Sequence, residues 1–138
     1  MATPVIELRD YPVPDGIVVP NLMPHQLKAW NGDHFLAAEV LRLKEAHGLR
    51  LAFETGTCLG STAIWLCHNF GYVISTEVNP AFHRIAMKRM STQCQEENCE
   101  LRLGEADKLL EIMFREVGYD TLCWLDGHWG PNCPLLNE

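Results

Sequence analysis

The stretch Leu51-Ala52-Phe53-Glu54-Thr55-Gly56-Thr57-Cys58-Leu59-Gly60-Ser61-Thr62, answered by Glu77 at the end of the next apolar run, decides the fold. A short apolar run enters an acidic residue and a loop punctuated by Gly56 and Gly60. The loop passes directly into a segment patterned as a helix. A second apolar run, Tyr72-Val73-Ile74-Ser75-Thr76, then ends in a carboxylate. A Rossmann-like sheet builds a nucleoside site in this way. Glycines let the backbone approach the ligand, a helix N-terminus faces it, and an acid accepts the ribose hydroxyls. Glu77 stands 21 positions after Gly56, close to the roughly 20 expected for one such βαβ step.

Spacing eliminates two ligand classes. A dinucleotide loop needs G-x-G-x-x-G, and with its first glycine on Gly56 the other glycine positions hold Cys58 and Ser61. A phosphate-binding P-loop needs a lysine after its last glycine, and Gly60 is followed by Ser61-Thr62. The pattern that remains is E-x-G-x-x-x-G. It resembles motif I of the class I S-adenosylmethionine-dependent methyltransferases, whose cofactor carries no phosphate. The alternative is a Gly-rich turn in another α/β domain.

Outward from the loop, the organisation is legible. Residues 1–24 hold five of the eight prolines (4, 12, 14, 20 and 24) and read as an extended surface arm. The arm is taken to residue 33, and residues 34–138 form the domain. Asp33 caps a helix over 34–47, with Leu36, Val40 and Leu43 on one face and Gly48 as its stop. Strands follow at about 49–54, 71–77, 99–103 and 121–126, with a helix at 61–69. Asn79-Pro80 starts a further helix, a cap followed by a first-turn proline. Its spacing places Phe82, Ile85, Ala86 and Met90 inward and Arg84, Lys88 and Arg89 toward solvent. Another helix runs from Ala106 to Val117, with Leu109, Met113 and Val117 aligned and Gly118 as its stop.

Alternating strands and helices predict a parallel sheet with right-handed crossovers. Ligands of such sheets bind beyond the carboxyl ends of the strands. Four features fall there: Glu54 to Gly60, Glu77, Gly104-Glu105-Ala106, and Asp126-Gly127-His128-Trp129.

The resemblance extends over residues 49 to 138. Gly104-Glu105-Ala106 sits where these methyltransferases place a polar turn beside the adenine, and Leu125-Asp126-Gly127-His128-Trp129 where they have motif IV. The run from Trp124 to Leu136 also looks like a bacterial subgroup of small-molecule and sugar O-methyltransferase-like proteins. The resemblance implies an α/β Rossmann-like three-layer sandwich with a mostly parallel sheet in the order 3-2-1-4. It implies S-adenosylmethionine as cofactor, held by Glu54, Gly56, Thr57, Gly60, Ser61, Glu77, Val78, Gly104, Glu105, Ala106 and Asp126. Asp126 and His128 become the groups placed to deprotonate a small hydroxylated acceptor, since imidazole exchanges protons near neutral pH. Each has a plainer reading: Glu54 as a helix cap, Glu105 as a first-turn acid, Asp126 as a strand end, His128 as a loop histidine. A catalytically silent cofactor-binding or assembly module is the alternative function.

The family fold has seven strands, and only four are countable here. The expectation is therefore a chain truncated after motif IV, with strand four as an apolar edge open to pairing and a homo-oligomer completed through it. Composition bounds the rest. The chain has 138 residues and a formal net charge of −7, the opposite of a basic nucleic-acid footprint. It contains no apolar run long enough for a membrane span. Met1 to Asp10 has neither a basic region nor an apolar core, so no secretory signal is expected. The six cysteines are expected to stay reduced thiols in the cytoplasm. Cys123, His128 and Cys133 form C-x4-H-x4-C, part of a zinc-knuckle spacing. Cys123 lies within an apolar strand run and reads as a buried thiol, so no metal site is expected.

Overall fold

In the computed structural model of the chain, residues 6–108, 111, 115 and 120–126 are described. Four strands, β1 (Leu51–Thr55), β2 (Tyr72–Glu77), β3 (Cys99–Leu103) and β4 (Thr121–Leu125), pair in parallel in the order β3-β2-β1-β4. This is the expected sheet, with each strand end within two residues of its expected place. Three helices precede or connect the strands: α1 (His34–His47), α2 (Ser61–Asn69) and α3 (Pro80–Gln93). The chemistry at their ends is local. Asp33 accepts from the Leu36 N–H, Gly48 closes α1 in the left-handed region at φ 62°, and the Asn79 side chain accepts from Ala81 and Phe82. Ala106, Asp107, Lys108, Glu111 and Arg115 are helical as expected. The apolar face expected of that helix, Leu109, Met113 and Val117, lies outside the described residues.

The period of two along a strand sorts the side chains. Register places Ala52, Val73, Cys99 and Leu122 on one face, and Glu54, Ser75, Leu101 and Trp124 further along that same face. The main core packs on it, from α1, from α2, from Met90 of α3, and from Tyr11, Ala29 and Trp30 of the N-terminal arm. Phe53 and Ile74 point the other way and pack with Tyr72. At nine residues α2 is too short to hold as an isolated helix. Ala63, Ile64, Trp65, Leu66 and Cys67 are buried along it, and each large apolar side chain buried there contributes roughly 1.5–3 kcal/mol. Tertiary packing therefore makes α2, and it fixes where the glycine loop must end.

Three findings depart from the sequence reading. The arm is not only a surface strap. It forms two 3-10 turns, Pro24–Leu27 and Ala29–Gly32, and sends Tyr11, Ala29 and Trp30 into the core. Trp30 stacks edge-on against both Trp65 and Trp124, at 5.5 and 5.1 Å between ring centroids. Arg89, expected in solvent beside Lys88, is fully buried. Cys123, expected to be buried, is exposed, because strand alternation turns it away from the face that carries Leu122 and Trp124.

Candidate functional site

The loop between β1 and α2 is built by folding its own N–H groups inward. Gly56 and Thr57 both donate to the Thr76 carbonyl at 2.9 Å, and Gly60 donates to Thr57. The Cys58 N–H donates to one oxygen of Glu77 at 2.7 Å, and the Asn79 N–H to the other at 2.8 Å. Gly56 and Cys58 take left-handed backbone at φ 80° and 53° to make these turns. A phosphate cradle works by presenting free N–H groups to an anion. Here those four are already satisfied, which agrees with the missing lysine.

Gly60 has a packing reason of its own. It caps α2 at φ 87°, and a Cβ there would sit 3.1 Å from the Cβ of Ala86. Only glycine lets α2 start this close to α3. The Ser61 hydroxyl donates to the Gln26 carbonyl, and the Trp30 N–H donates to Thr62 at 2.9 Å. The first two residues of α2 therefore anchor the arm.

A cavity of about 100 Å³ opens where loop, arm and β4 meet. Glu54, Gly56, Thr57, Cys58, Leu59, Ser61 and Thr62 line it from one side, Trp124 and Asp126 from another, and His25, Gln26, Lys28 and Asn31 from the arm. Five of the expected site residues, Glu54, Gly56, Thr57, Ser61 and Asp126, thus share one wall system. Glu77 stands outside that lining, behind the loop, joined to it through Cys58. Gly104 donates to the Glu77 carbonyl at 2.9 Å, so the turn after β3 lies beside the end of β2. There Ala106 is buried, while Glu105 is exposed and pairs with Lys108 at 2.7 Å. Val78 is exposed. His128 lies outside the described residues, as do Gly127, Trp129 and Cys133. Among the described residues no cluster of His, Cys, Asp or Glu is arranged to hold a metal ion.

Glu54 carries the unusual electrostatics. Its side chain is 1% exposed and accepts from the Ser75 hydroxyl at 2.7 Å, across the register pair that joins β1 and β2. Burial pushes its carboxyl up to about 8, and the carboxylates of Asp126 and Glu77 add to that rise, while the Ser75 hydroxyl opposes it. At neutral pH Glu54 is therefore mostly a neutral acid. Cys58 is no activated nucleophile: burial raises its thiol pKa, and its contribution to the site is its backbone N–H. Ser75, Thr62, Trp124 and the four arm residues escaped the sequence reading. Ser75 and Trp124 were findable, since parallel register sets both opposite Glu54.

No family model matches the chain, and no curated protein matches it in sequence. Solved structures do match in shape. The O-methyltransferase TomG of Streptomyces achromogenes, in complex with SAM (S-adenosylmethionine), superposes with a TM-score of 0.59 at 20% identity, over 68% of this chain and 44% of that one. The O-methyltransferase of Bacillus cereus, in complex with SAH (S-adenosylhomocysteine), gives 0.54 at 22% identity, over 83% and 47%. The SAH-bound methyltransferase PaMTH1 of Podospora anserina gives 0.57 at 13% identity, over 68% and 41%. The chain has the Rossmann-like fold of these methyltransferases. It spans less than half the length of each of the three. Among the described residues, no helix is long and apolar enough to cross a membrane.

Proposed function

We propose that the chain is the cofactor-binding portion of an S-adenosylmethionine-dependent methyltransferase that methylates a hydroxyl of a small acceptor. One observation carries this reading. Glu54, the glycine loop and Asp126 converge on one cavity at the carboxyl edge of a parallel sheet, with Glu77 bound to the back of the same loop. The donor set suits this cofactor. The carboxylates of Asp126 and Glu77 repel a phosphate and favour a ligand that carries a sulfonium and an ammonium. Such a cation draws the neutral Glu54 into its charged form as well. Each Glu77 oxygen accepts one backbone N–H and keeps lone-pair capacity for a ribose hydroxyl. The cavity is below the roughly 300–1,000 Å³ of complete small-molecule sites, so it accounts for part of such a ligand.

In this reading the cofactor supplies a methyl group on a sulfonium, already activated for attack. The chain then supplies alignment and a base. Glu77 holds the ribose, the glycine loop admits the methionine moiety, and Asp126 at the cavity lip takes the acceptor's proton. His128, in the sequence after β4, is the alternative base. Calorimetric titration tests the reading. S-adenosylmethionine and S-adenosylhomocysteine are expected to bind wild type, and Glu77→Ala is expected to weaken both by at least about tenfold, roughly 1.4 kcal/mol. Folded wild type that binds neither ligand would end the proposal. Binding without turnover across a panel of hydroxylated acceptors would instead favour a silent module.

Self-association belongs to the same proposal. Among the described residues β4 pairs on one side only, with β1, and Leu125 is exposed along it. An apolar edge of this kind pairs with another strand. Sedimentation equilibrium is expected to show a dimer or larger species, and a monomer at all concentrations would refute the pairing.

A further inference from the structure

Three cysteines far apart in sequence meet at the opposite edge of the sheet from the cavity. Cys67 lies near the end of α2, Cys94 caps the end of α3, and Cys99 begins β3. Hydrogen bonds on every side fix their approach. His68 bonds the Gln93 carbonyl at 2.6 Å, the Cys94 thiol reaches the Ile64 carbonyl at 3.9 Å, and the Asn98 side chain donates to the Cys67 carbonyl at 3.1 Å. The Cys67 thiol is in contact with both the Cys94 and Cys99 thiols. All three are free, Cys67 buried and the other two half-buried. Neither the nucleoside site nor the acceptor chemistry uses them.

We propose that Cys67, Cys94 and Cys99 form a thiol-oxidation site that closes an internal disulfide, with Cys94 reacting first and Cys67 resolving it. The geometry supplies the division of labour. Cys94 is half-open to solvent at a helix end, so an oxidant reaches it. Cys67 is buried against it, so the second sulfur is in place before the first is oxidised. Charge follows the same order. The hydrogen bond from the Cys67 thiol lowers the Cys94 pKa, and the same contact together with burial raises that of Cys67. The oxidant is a hydroperoxide. The Cys94 thiolate attacks its O–O bond, an S–O bond forms, and hydroxide (or alkoxide) leaves. The sulfur is oxidised by two electrons and the peroxide is reduced. The Cys67 sulfur then displaces water from the sulfenic acid and the S–S bond forms, with its own proton leaving in that water. The product ties the far ends of α2 and α3 together.

Hydrogen peroxide titration of the full chain, followed by thiol counting and peptide mapping, tests this. Wild type is expected to lose two of its six thiols and about 2 Da, with Cys94 cross-linked to Cys67. Cys94→Ser is expected to slow the loss at least tenfold, while Cys123→Ser leaves its rate unchanged. Dithiothreitol restores both thiols. A cross-link through Cys99, Cys58, Cys123 or Cys133, sulfinic acid at Cys94 without a disulfide, or unchanged thiols in wild type would each overturn the proposal. The wild-type map needs no variant to fold.

Discussion

Affinity for S-adenosylmethionine is expected to rise steeply as pH increases from about 6 to 8 and to level off above that. The cause is Glu54. In the ligand-free chain its carboxyl titrates near 8, because burial penalises the anion and the Asp126 and Glu77 carboxylates repel it. A ligand bearing a sulfonium and an ammonium reverses that balance, so binding expels the proton from Glu54. Below pH 8 each unit of acid then costs up to about tenfold in affinity, the limit for one coupled proton. The ligand's own amine titrates in the same range, but it does so equally against any variant. The difference in pH slope between wild type and Glu54→Gln therefore isolates the carboxyl. Calorimetry in buffers of different ionisation enthalpy is expected to show close to one proton released by wild type at pH 7 in excess of the variant. Parallel slopes for the two proteins would remove Glu54 from the binding chemistry.

The same carboxyl sets an opposite trend for the ligand-free protein. An acid whose pKa is higher folded than unfolded stabilises the fold while protonated. Its contribution is complete below the ordinary value of 4.5 and is lost as pH rises through 8. Wild type is thus expected to lose on the order of 2–4 kcal/mol between pH 5 and 9 through this group, and Glu54→Gln to lose much less. Denaturant melts across that range measure it. The site binds best where the empty fold is weakest, which is the arrangement expected when a ligand completes a buried charge cluster.

What was legible in the chain was local. The alternation of apolar runs gave the strands, and Asp33, Gly48 and Asn79-Pro80 marked helix ends because capping depends on residues within three positions of the end. Glu54, Glu77 and Asp126 could be placed at one edge because parallel topology brings strand ends together whatever their separation. The arm was illegible for the converse reason. Its bonds join Gln26 to Ser61 and Trp30 to Thr62 across 35 and 32 positions, and no pattern near either partner announces them. Trp30 and Asn31 also adopt positive φ, which side chains other than glycine seldom mark in advance. The part of the cavity wall made by His25, Gln26, Lys28 and Asn31 follows from that backbone path.

Arg89 shows what such a long-range tie contributes, and Arg89→Ala is expected to be the most destabilising single change outside the apolar core. Helical spacing sets Arg89 next to Lys88, yet its guanidinium is buried and donates to the carbonyl of Leu59 in the glycine loop and, at 2.6 Å, to that of Tyr11 in the arm. Burial lowers its pKa, and an arginine begins so high that it stays charged. Charged hydrogen bonds contribute roughly 1.5–3 kcal/mol each. The desolvation of the cation opposes that gain, and a well-packed apolar replacement recovers part of it. Alanine recovers nothing: it leaves two carbonyls unmet and a void, for a loss of about 3 kcal/mol. Arg89→Met fills the void and still strands both carbonyls, for about half that loss. Lysine, with a single ammonium in place of a planar fork, replaces one bond and not both. Urea melts should therefore rank wild type, then Lys or Met, then Ala. Because Leu59 lies in the loop that admits the cofactor, the same series should weaken S-adenosylmethionine binding in the same order. Arg89→Ala with wild-type stability would mean that Leu59 and Tyr11 find water instead, and that arm and loop are not held together by this side chain.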